Sequence, residues 1–229
     1  MREIVMDTET TGLDPKEGHK VVEIGAIELL NHIPTGKTFH KYINPKRSMP
    51  KAAFDVHGLS YEFLKKHPTF EEVAKNFLEF IGTSRLIIHN ASFDIKFLNS
   101  ELDAVGYSTI SHENVLDTLT LARQKFPGSP ASLDALSRRF KIDASKREKH
   151  GALIDSEILA AVYLELIGGR QPGLELLSSK HSSKNSQVNK EKRERKKPLI
   201  TRLNEAEMDR HKKFVDKLGD KALWKKFLS

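Results

Sequence analysis

The distribution of apolar and polar positions divides the chain into two unlike parts. Through residue 168, short apolar runs predict strands over 3–7, 21–30, 37–43 and 85–89. Longer segments with apolar residues at helical spacing predict helices over 69–81, 92–105, 116–125, 132–140 and 153–167, the first capped by Thr69. Asn31-His32-Ile33-Pro34-Thr35-Gly36 supplies turn residues between the second and third strands, so the first three strands are expected to pair antiparallel. A three-stranded meander followed by alternating helix and strand predicts an α/β fold with a mixed sheet.

That pattern ends at Gly168-Gly169, since glycine commonly closes a helix. Residues 178–197 are rich in Ser, Asn, Lys and Arg and nearly free of apolar side chains, the composition of a flexible tether. Apolar positions then return. Met208, His211, Val215 and Leu218 are spaced by three, four and three, which places them on one helical seam ahead of Gly219. Leu223, Trp224, Phe227 and Leu228 crowd the end. About thirty residues are too few for an isolated core, and the long polar tether favours docking on another protein over folding back. The expected organisation is a domain over 1–168, a basic linker over 169–197 and a partner-binding helical tail over 198–229.

Composition sharpens this division. At 229 residues the chain has room for one well-packed domain and an appendage. It has no cysteine, which excludes disulfides and thiolate zinc sites. No signal-peptide pattern precedes the first strand and no apolar stretch is long enough to cross a bilayer, so a cytoplasmic protein is expected. The net charge of +7 is unevenly placed: residues 1–179 carry 22 Lys+Arg against 24 Asp+Glu, and residues 180–229 carry 16 against 7. A nucleic-acid enzyme acting alone usually has a positive catalytic body. A body near neutrality implies a weak grip on substrate and help from partners. The basic linker has no interleaved aromatic residues for base stacking, so it reads as a tether rather than a nucleic-acid site.

Candidate chemistry begins in the first strand, Ile4-Val5-Met6-Asp7-Thr8-Glu9-Thr10-Thr11-Gly12. Side chains alternate along a strand, so Asp7 and Glu9 project to one side. Two such carboxylates repel each other unless a cation lies between them. An all-oxygen site suits Mg²⁺ or Mn²⁺ better than zinc. Further along stand Val56-His57-Gly58-Leu59, then His89-Asn90-Ala91-Ser92-Phe93-Asp94 leading from a strand into a helix. Asp117 starts another helix, and His150 lies five residues before Asp155 in the first turn of the last core helix. Acids at helix starts are favoured by the macrodipole, and Asp117 is assigned to that structural class.

Asp-Xaa-Glu-Thr-Thr-Gly, His-Asn-Ala-Xaa-Phe-Asp and His-Xaa₄-Asp, in this order across 1–168, resemble the DEDD exonuclease superfamily, and the last histidine marks its DEDDh branch. Leu203-Asn204-Glu205-Ala206-Glu207, His211, Gly219 and Leu223-Trp224 are similar to the polymerase-binding segment of proofreading subunits of bacterial replicative polymerases. The resemblance implies a ribonuclease H-like mixed five-stranded sheet flanked by helices. It implies two divalent cations, Mg²⁺ or Mn²⁺, held directly by Asp7, Glu9 and Asp155, with Asp94 completing the acidic cluster and His150 as general base. Thr10, Leu13, His57, Asn90 and Phe93, with Asp7, Glu9 and Asp155, would surround the 3′-terminal nucleotide of DNA. Met208, His211, Val215, Leu218, Leu223 and Trp224 would contact the polymerase catalytic subunit. Gln171-Pro172-Gly173-Leu174-Glu175-Leu176-Leu177 resembles a sliding-clamp-binding peptide through Gln171, Leu174 and Leu176, with leucines where that motif usually ends in an aromatic. The implied activity is metal-dependent 3′→5′ proofreading hydrolysis of DNA. An RNA-trimming exonuclease of the same branch and a non-catalytic polymerase-stabilising adaptor are the alternatives.

Overall fold

The computed structural model describes residues 1–145, 149–168 and 204–218. Over the first two ranges a five-stranded mixed sheet is built from β1 (Arg2–Thr10), β2 (Val21–Leu30), β3 (Ile33–Tyr42), β4 (Arg85–Ile88) and β5 (Val115–Asp117), in the order β3-β2-β1-β4-β5. β1 pairs antiparallel with β2 and β2 with β3, while β4 runs parallel to both β1 and β5. The helices are α1 (Lys51–His57), α2 (Tyr61–Leu64), α3 (Phe70–Ile81), α4 (Ala91–Ala104), α5 (Thr118–Lys125), α6 (Leu133–Phe140) and α7 (Ala152–Leu166).

The antiparallel meander is present, but its second turn is tighter than the six-residue stretch suggested. Asn31 and His32 alone form it, both at positive φ (51° and 67°), the backbone of a two-residue hairpin whose twist suits the strands on either side. Ile33 onward already belongs to β3, whose first six residues are exposed and so give little apolar signal. The predicted helix over 116–125 begins later. Val115–Asp117 is the fifth strand, and the Asp117 carboxylate accepts from the Leu119 N–H as the cap of α5. Helices α1 and α2 were not predicted. In each of them one residue is buried, His57 and Leu64, so no apolar stripe marks them.

β1 sorts the two layers of the core. Ile4 and Met6 face α3 and α4, in one cluster with Phe77, Phe97 and Leu98. Val5 faces the opposite side with Ile27, Ile87, Leu159 and Tyr163. α7 is apolar on nearly every side because that cluster covers one flank while Ile158, Val162 and Leu166 meet α5 and α6 on another. On the α7 side of β1, Glu3 is fully buried and accepts the Tyr163 hydroxyl (2.7 Å), with the His32 ring on its other oxygen (2.7 Å). Losing that phenol would strand a buried acceptor, at about 1–3 kcal/mol.

The start of α7 rests directly on β2. A Cβ at Gly25 would lie 2.2 Å from the backbone of Ala152 and Leu153. The Ser156 hydroxyl sits between the Gly25 carbonyl (2.9 Å) and the Ala152 carbonyl (2.7 Å). Gly25 is the register partner of Asp7. The helix therefore reaches the sheet at the position where the first acid emerges.

The chain divides into two units, Met1–Leu176 and Leu177–Ser229. In the second, α8 (Glu205–Lys217) is described, opened by a reciprocal capping box between Asn204 and Glu207. Of the predicted seam, Val215 is buried while Met208, His211 and Leu218 are exposed. The linker, the clamp-like peptide with Gln171, Leu174 and Leu176, and tail residues Leu223 and Trp224 lie outside the described residues. Among the described residues no helix is long and apolar enough to cross a membrane.

Gly25→Ala should lower unfolding free energy by about 1–3 kcal/mol, the usual cost of overpacking, because α7 must retreat from β2. Urea denaturation checks this, and a change within about 0.5 kcal/mol of zero would contradict so close an approach.

Candidate active site

β1 runs through Thr10, so Asp7 and Glu9 lie inside a paired strand rather than at its frayed end. Its register with β2 shifts between Glu9 and Thr10. Such an irregularity turns the chain locally, and after it the backbone leaves the sheet. Asp155, in the first turn of α7, is 2 % exposed and comes to the same face through the Gly25 contact. Ligand atoms of Glu9, Asp155 and His150 lie within 4.8 Å of one another. The His150 Nδ1 is 3.2 Å from Asp155 Oδ2, and its side chain is half exposed where that of Asp155 is buried.

Asp94 arrives from the other layer, in the first turn of α4. Its position depends on an unusual helix start. Asn90 caps α4 in the left-handed region (φ 65°), and its N–H donates to the Asp117 carboxylate (3.0 Å). The Thr8 hydroxyl then donates to Asp94 Oδ1 (2.7 Å). Burial pushes the Asp94 carboxyl up to about 7, against the opposing effect of the Thr8 hydroxyl. His89, whose Nδ1 faces the Thr118 hydroxyl (2.9 Å), is shifted downward by burial and stays neutral near pH 7.

Asp7, Glu9, Asp94, Asp155 and His150 line one cavity of about 260 Å³, together with Asn90 and Phe93. The fold thus collects every acid of the sequence motifs, and the preceding histidine, in one place. Four carboxylates on rigid elements, three of them buried (Glu9, Asp94 and Asp155, with 9 %, 3 % and 2 % exposure), form a site that is costly without positive charge. The oxygen-rich donor set fits a hard divalent cation, with imidazole as a further donor. Asp134, at the start of α6, also lines this cavity. Its position in sequence gave no motif to find it by.

A second cavity of about 540 Å³ adjoins the first, and Glu9 and Phe93 line both. Thr10, Leu13 and His57 line it with Ala53 and Val56 of α1. Leu13 is 82 % exposed, an apolar side chain held at the rim. The Leu59 N–H donates to His57 Nδ1 (3.0 Å), which leaves the ring hydrogen on Nε2, and burial holds the imidazole neutral. Of the residues assigned to the terminal nucleotide, Thr10, Leu13, His57 and Phe93 meet here, whereas Asn90 lies on the acidic side. His19 was missed. Its ring occupies the space a Cβ on Gly12 would need, and its Nδ1 is 3.1 Å from the Thr11 hydroxyl. Glu23 was missed too, a buried acid opposite Glu9 in register and matched by His40 Nε2 at 2.7 Å.

Known proteins resemble this chain in sequence and in fold. The RNase_T family model, described as Exonuclease, matches residues 4–163. DNA polymerase III subunit epsilon of Rickettsia typhi is 49 % identical over 222 residues, covering 95 % of this chain and 97 % of that protein. The subunit of the same name from Escherichia coli is 48 % identical over 176 residues, 74 % of this chain and 72 % of that one. Among solved structures, exonuclease X in complex with 5′ overhanging duplex DNA is similar with a TM-score of 0.57 and 24 % identity, covering 72 % of this chain and 90 % of that one. The nuclease domain of 3′hExo, a DEDDh family member bound to rAMP, gives a TM-score of 0.63 at 20 % identity, covering 72 % of this chain and 91 % of that one. These two share the fold. The chain belongs to the RNase_T exonuclease family and, over nearly its whole length, to the family of DNA polymerase III epsilon subunits.

Proposed function

We propose that this chain is a metal-dependent 3′→5′ DNA exonuclease that removes misincorporated terminal nucleotides as the proofreading subunit of a bacterial replicative polymerase, in the cytoplasm. The observation that carries the reading is the convergence of Glu9, Asp155 and His150 within 4.8 Å, in a cavity that also holds Asp7 and Asp94. Exonucleases of this family normally use divalent metal ions. Asp7, Glu9 and Asp155 would hold two of them, Mg²⁺ or Mn²⁺, with Asp94 completing the charge. When bound, such cations supply Lewis acidity toward the attacking water and the departing 3′-oxygen.

The protein's own groups supply the rest. Asp155 Oδ2 can accept only if His150 Nδ1 carries the hydrogen, which makes Nε2 the nitrogen that takes the water's proton. The adjoining cavity has Phe93, Val56 and Leu13 to pack a splayed terminal base without reading its identity. An unpaired end enters at lower cost than a paired one, and this difference selects errors. Phe93 and Glu9, common to both cavities, set the spacing between base and scissile phosphate. The tail over 198–229 would dock on the polymerase catalytic subunit, using Met208, His211, Val215, Leu218, Leu223 and Trp224. The peptide around Gln171, Leu174 and Leu176 would reach a sliding clamp.

Degradation of a labelled primer tests the activity. Removal from the 3′ end should need Mg²⁺ or Mn²⁺, stop with EDTA, run faster on a mismatched terminus and be weaker on RNA. Asp7→Ala should abolish it while the protein stays folded, since the change removes a ligand and a repulsion together. Equal trimming of RNA without mismatch preference would move the assignment to an RNA-processing exonuclease, and a folded but inert wild type would favour the adaptor.

Truncation after residue 197 should eliminate co-elution with the polymerase catalytic subunit and leave primer hydrolysis within about twofold. Retained co-elution would place the contact elsewhere.

The raised Asp94 pKa has a stability consequence of definite sign. Between the ordinary value of 3.8 and about 7 the folded protein holds a proton there that the unfolded chain has released. Its contribution to stability therefore falls as pH rises through that window. Glu28, held down to about 2 chiefly by its hydrogen bond from Arg2, acts in the opposite sense but below its ordinary 4.5. In EDTA, wild type should lose thermal stability relative to Asp94→Asn between about pH 4.5 and 7, and Mg²⁺ should restore it. Parallel pH profiles for the two proteins would refute a raised pKa.

A further inference from the structure

Helix α1 has two sets of neighbours. Ala53, Val56 and His57 line the larger cavity, against Thr10 and Phe93. Residues 149 and 150 rest on the same helix through three contacts. The His150 N–H points to the Val56 carbonyl at 3.4 Å. The Lys149 ammonium stands 5.2 Å from the centre of the Phe54 ring, within cation–π range. Gly58, at φ 75°, closes α1 against the Lys149 stem, since a Cβ there would fall 2.8 Å from Lys149 Cδ. One short helix thus touches both the cavity that would receive a terminal base and the backbone that aims the imidazole.

His150 needs such an aim. Asp7, Glu9, Asp94 and Asp155 stand on strands and long helices of the core, whereas the His150 side chain is half exposed and lies ahead of α7, outside any helix or strand. We propose that α1 couples occupancy of the larger cavity to the position of the His150 ring, with Phe54 and Lys149 as positioning residues. The proposal rests on the exonuclease reading for the role of His150. A base seated against Ala53 and Val56 loads one side of α1. The helix is short and internally bonded, its Gly58 N–H donating to the Phe54 carbonyl at 2.8 Å, so it responds as a unit. The displacement passes to residues 149 and 150 through the carbonyl, the ring and the glycine. Hydrolysis is then tied to a fully seated terminal base, because a small misplacement of a catalytic group costs far more in rate than in binding.

The test is a set of variants in the full chain. Phe54→Ala should lower kcat on a mismatched primer about tenfold with KM within about twofold, and Phe54→Tyr, which keeps the aromatic face, should restore it. In a His150→Ala background Phe54→Ala should have no further effect, because its influence passes through that imidazole. A loss confined to KM, failure of Phe54→Tyr to rescue, or a full effect in the His150→Ala background overturns the proposal. A second readout does not depend on hydrolysis. Thymidine, which has no phosphate to touch His150, should move the Val56 methyl and His150 ring NMR signals in wild type but only the Val56 methyls in Phe54→Ala. A His150 signal that stays still while Val56 moves overturns the coupling, as does the absence of any shift at Val56. If wild type hydrolyses no primer, the exonuclease reading fails and the NMR comparison alone decides whether α1 links the two places.

Discussion

The structure depends on the match between one face of β1 and one stripe of α7. Glu3, Val5, Asp7 and Glu9 share that face, and Tyr163, Leu159 and Asp155 follow at steps of four along the helix. Two strand residues advance about 6.8 Å and four helical residues about 6 Å, so the two rows have similar repeats. Glu3 meets Tyr163 at one end and Val5 packs with Leu159 and Tyr163 in the middle. At the other end Glu9 meets Asp155. A single interface therefore runs from a buried carboxylate that accepts the Tyr163 hydroxyl, through hydrocarbon, to the acidic cluster. The missing side chain at Gly25 lets the helix lie close enough for this alignment.

The alignment explains how a repulsive site is tolerated. Collecting acids in a poorly solvated cavity opposes folding. The apolar middle of the same interface holds them. Each fully buried Val or Leu side chain supplies roughly 1.5–3 kcal/mol, and Val5, Ile87, Leu159 and Leu29 are each at most 1 % exposed. Asp94 reaches the site from the opposite layer, and its burial shows in a carboxyl that keeps its proton to about 7. A cation restores the charge of the acids and removes the strain, so binding and rigidity favour each other.

What was legible in the sequence follows from this arrangement. Asp7 and Glu9 could be placed on one face because strand alternation is a local rule, and the Asp155 helix was clear because α7 is apolar almost throughout. The fifth strand was hidden because Val115–Asp117 is three half-buried residues whose last member caps the next helix. Helix α1 was hidden because its function is to line a cavity, which leaves its side chains exposed and without an apolar stripe. Gly25, His19 and Glu23 carried no signal, since their importance lies in what the fold brings against them: the backbone of α7, the Gly12 Cα and the Glu9 strand.

The two kinds of catalytic group are accordingly held by two kinds of structure. The carboxylates proposed to bind cations stand on core elements, where a small displacement would disturb packing over the whole β1–α7 interface. His150, the proposed general base, stands at the edge, its ring against Asp155 and its backbone against a surface helix. That division makes physical sense for an enzyme that must leave correct ends intact. A site with every group locked in place would hydrolyse any strand that entered. Under the proposed coupling, fixing the cation ligands and leaving the aim of the general base to an element lining the larger cavity would make the chemistry sensitive to whether a terminal base is there.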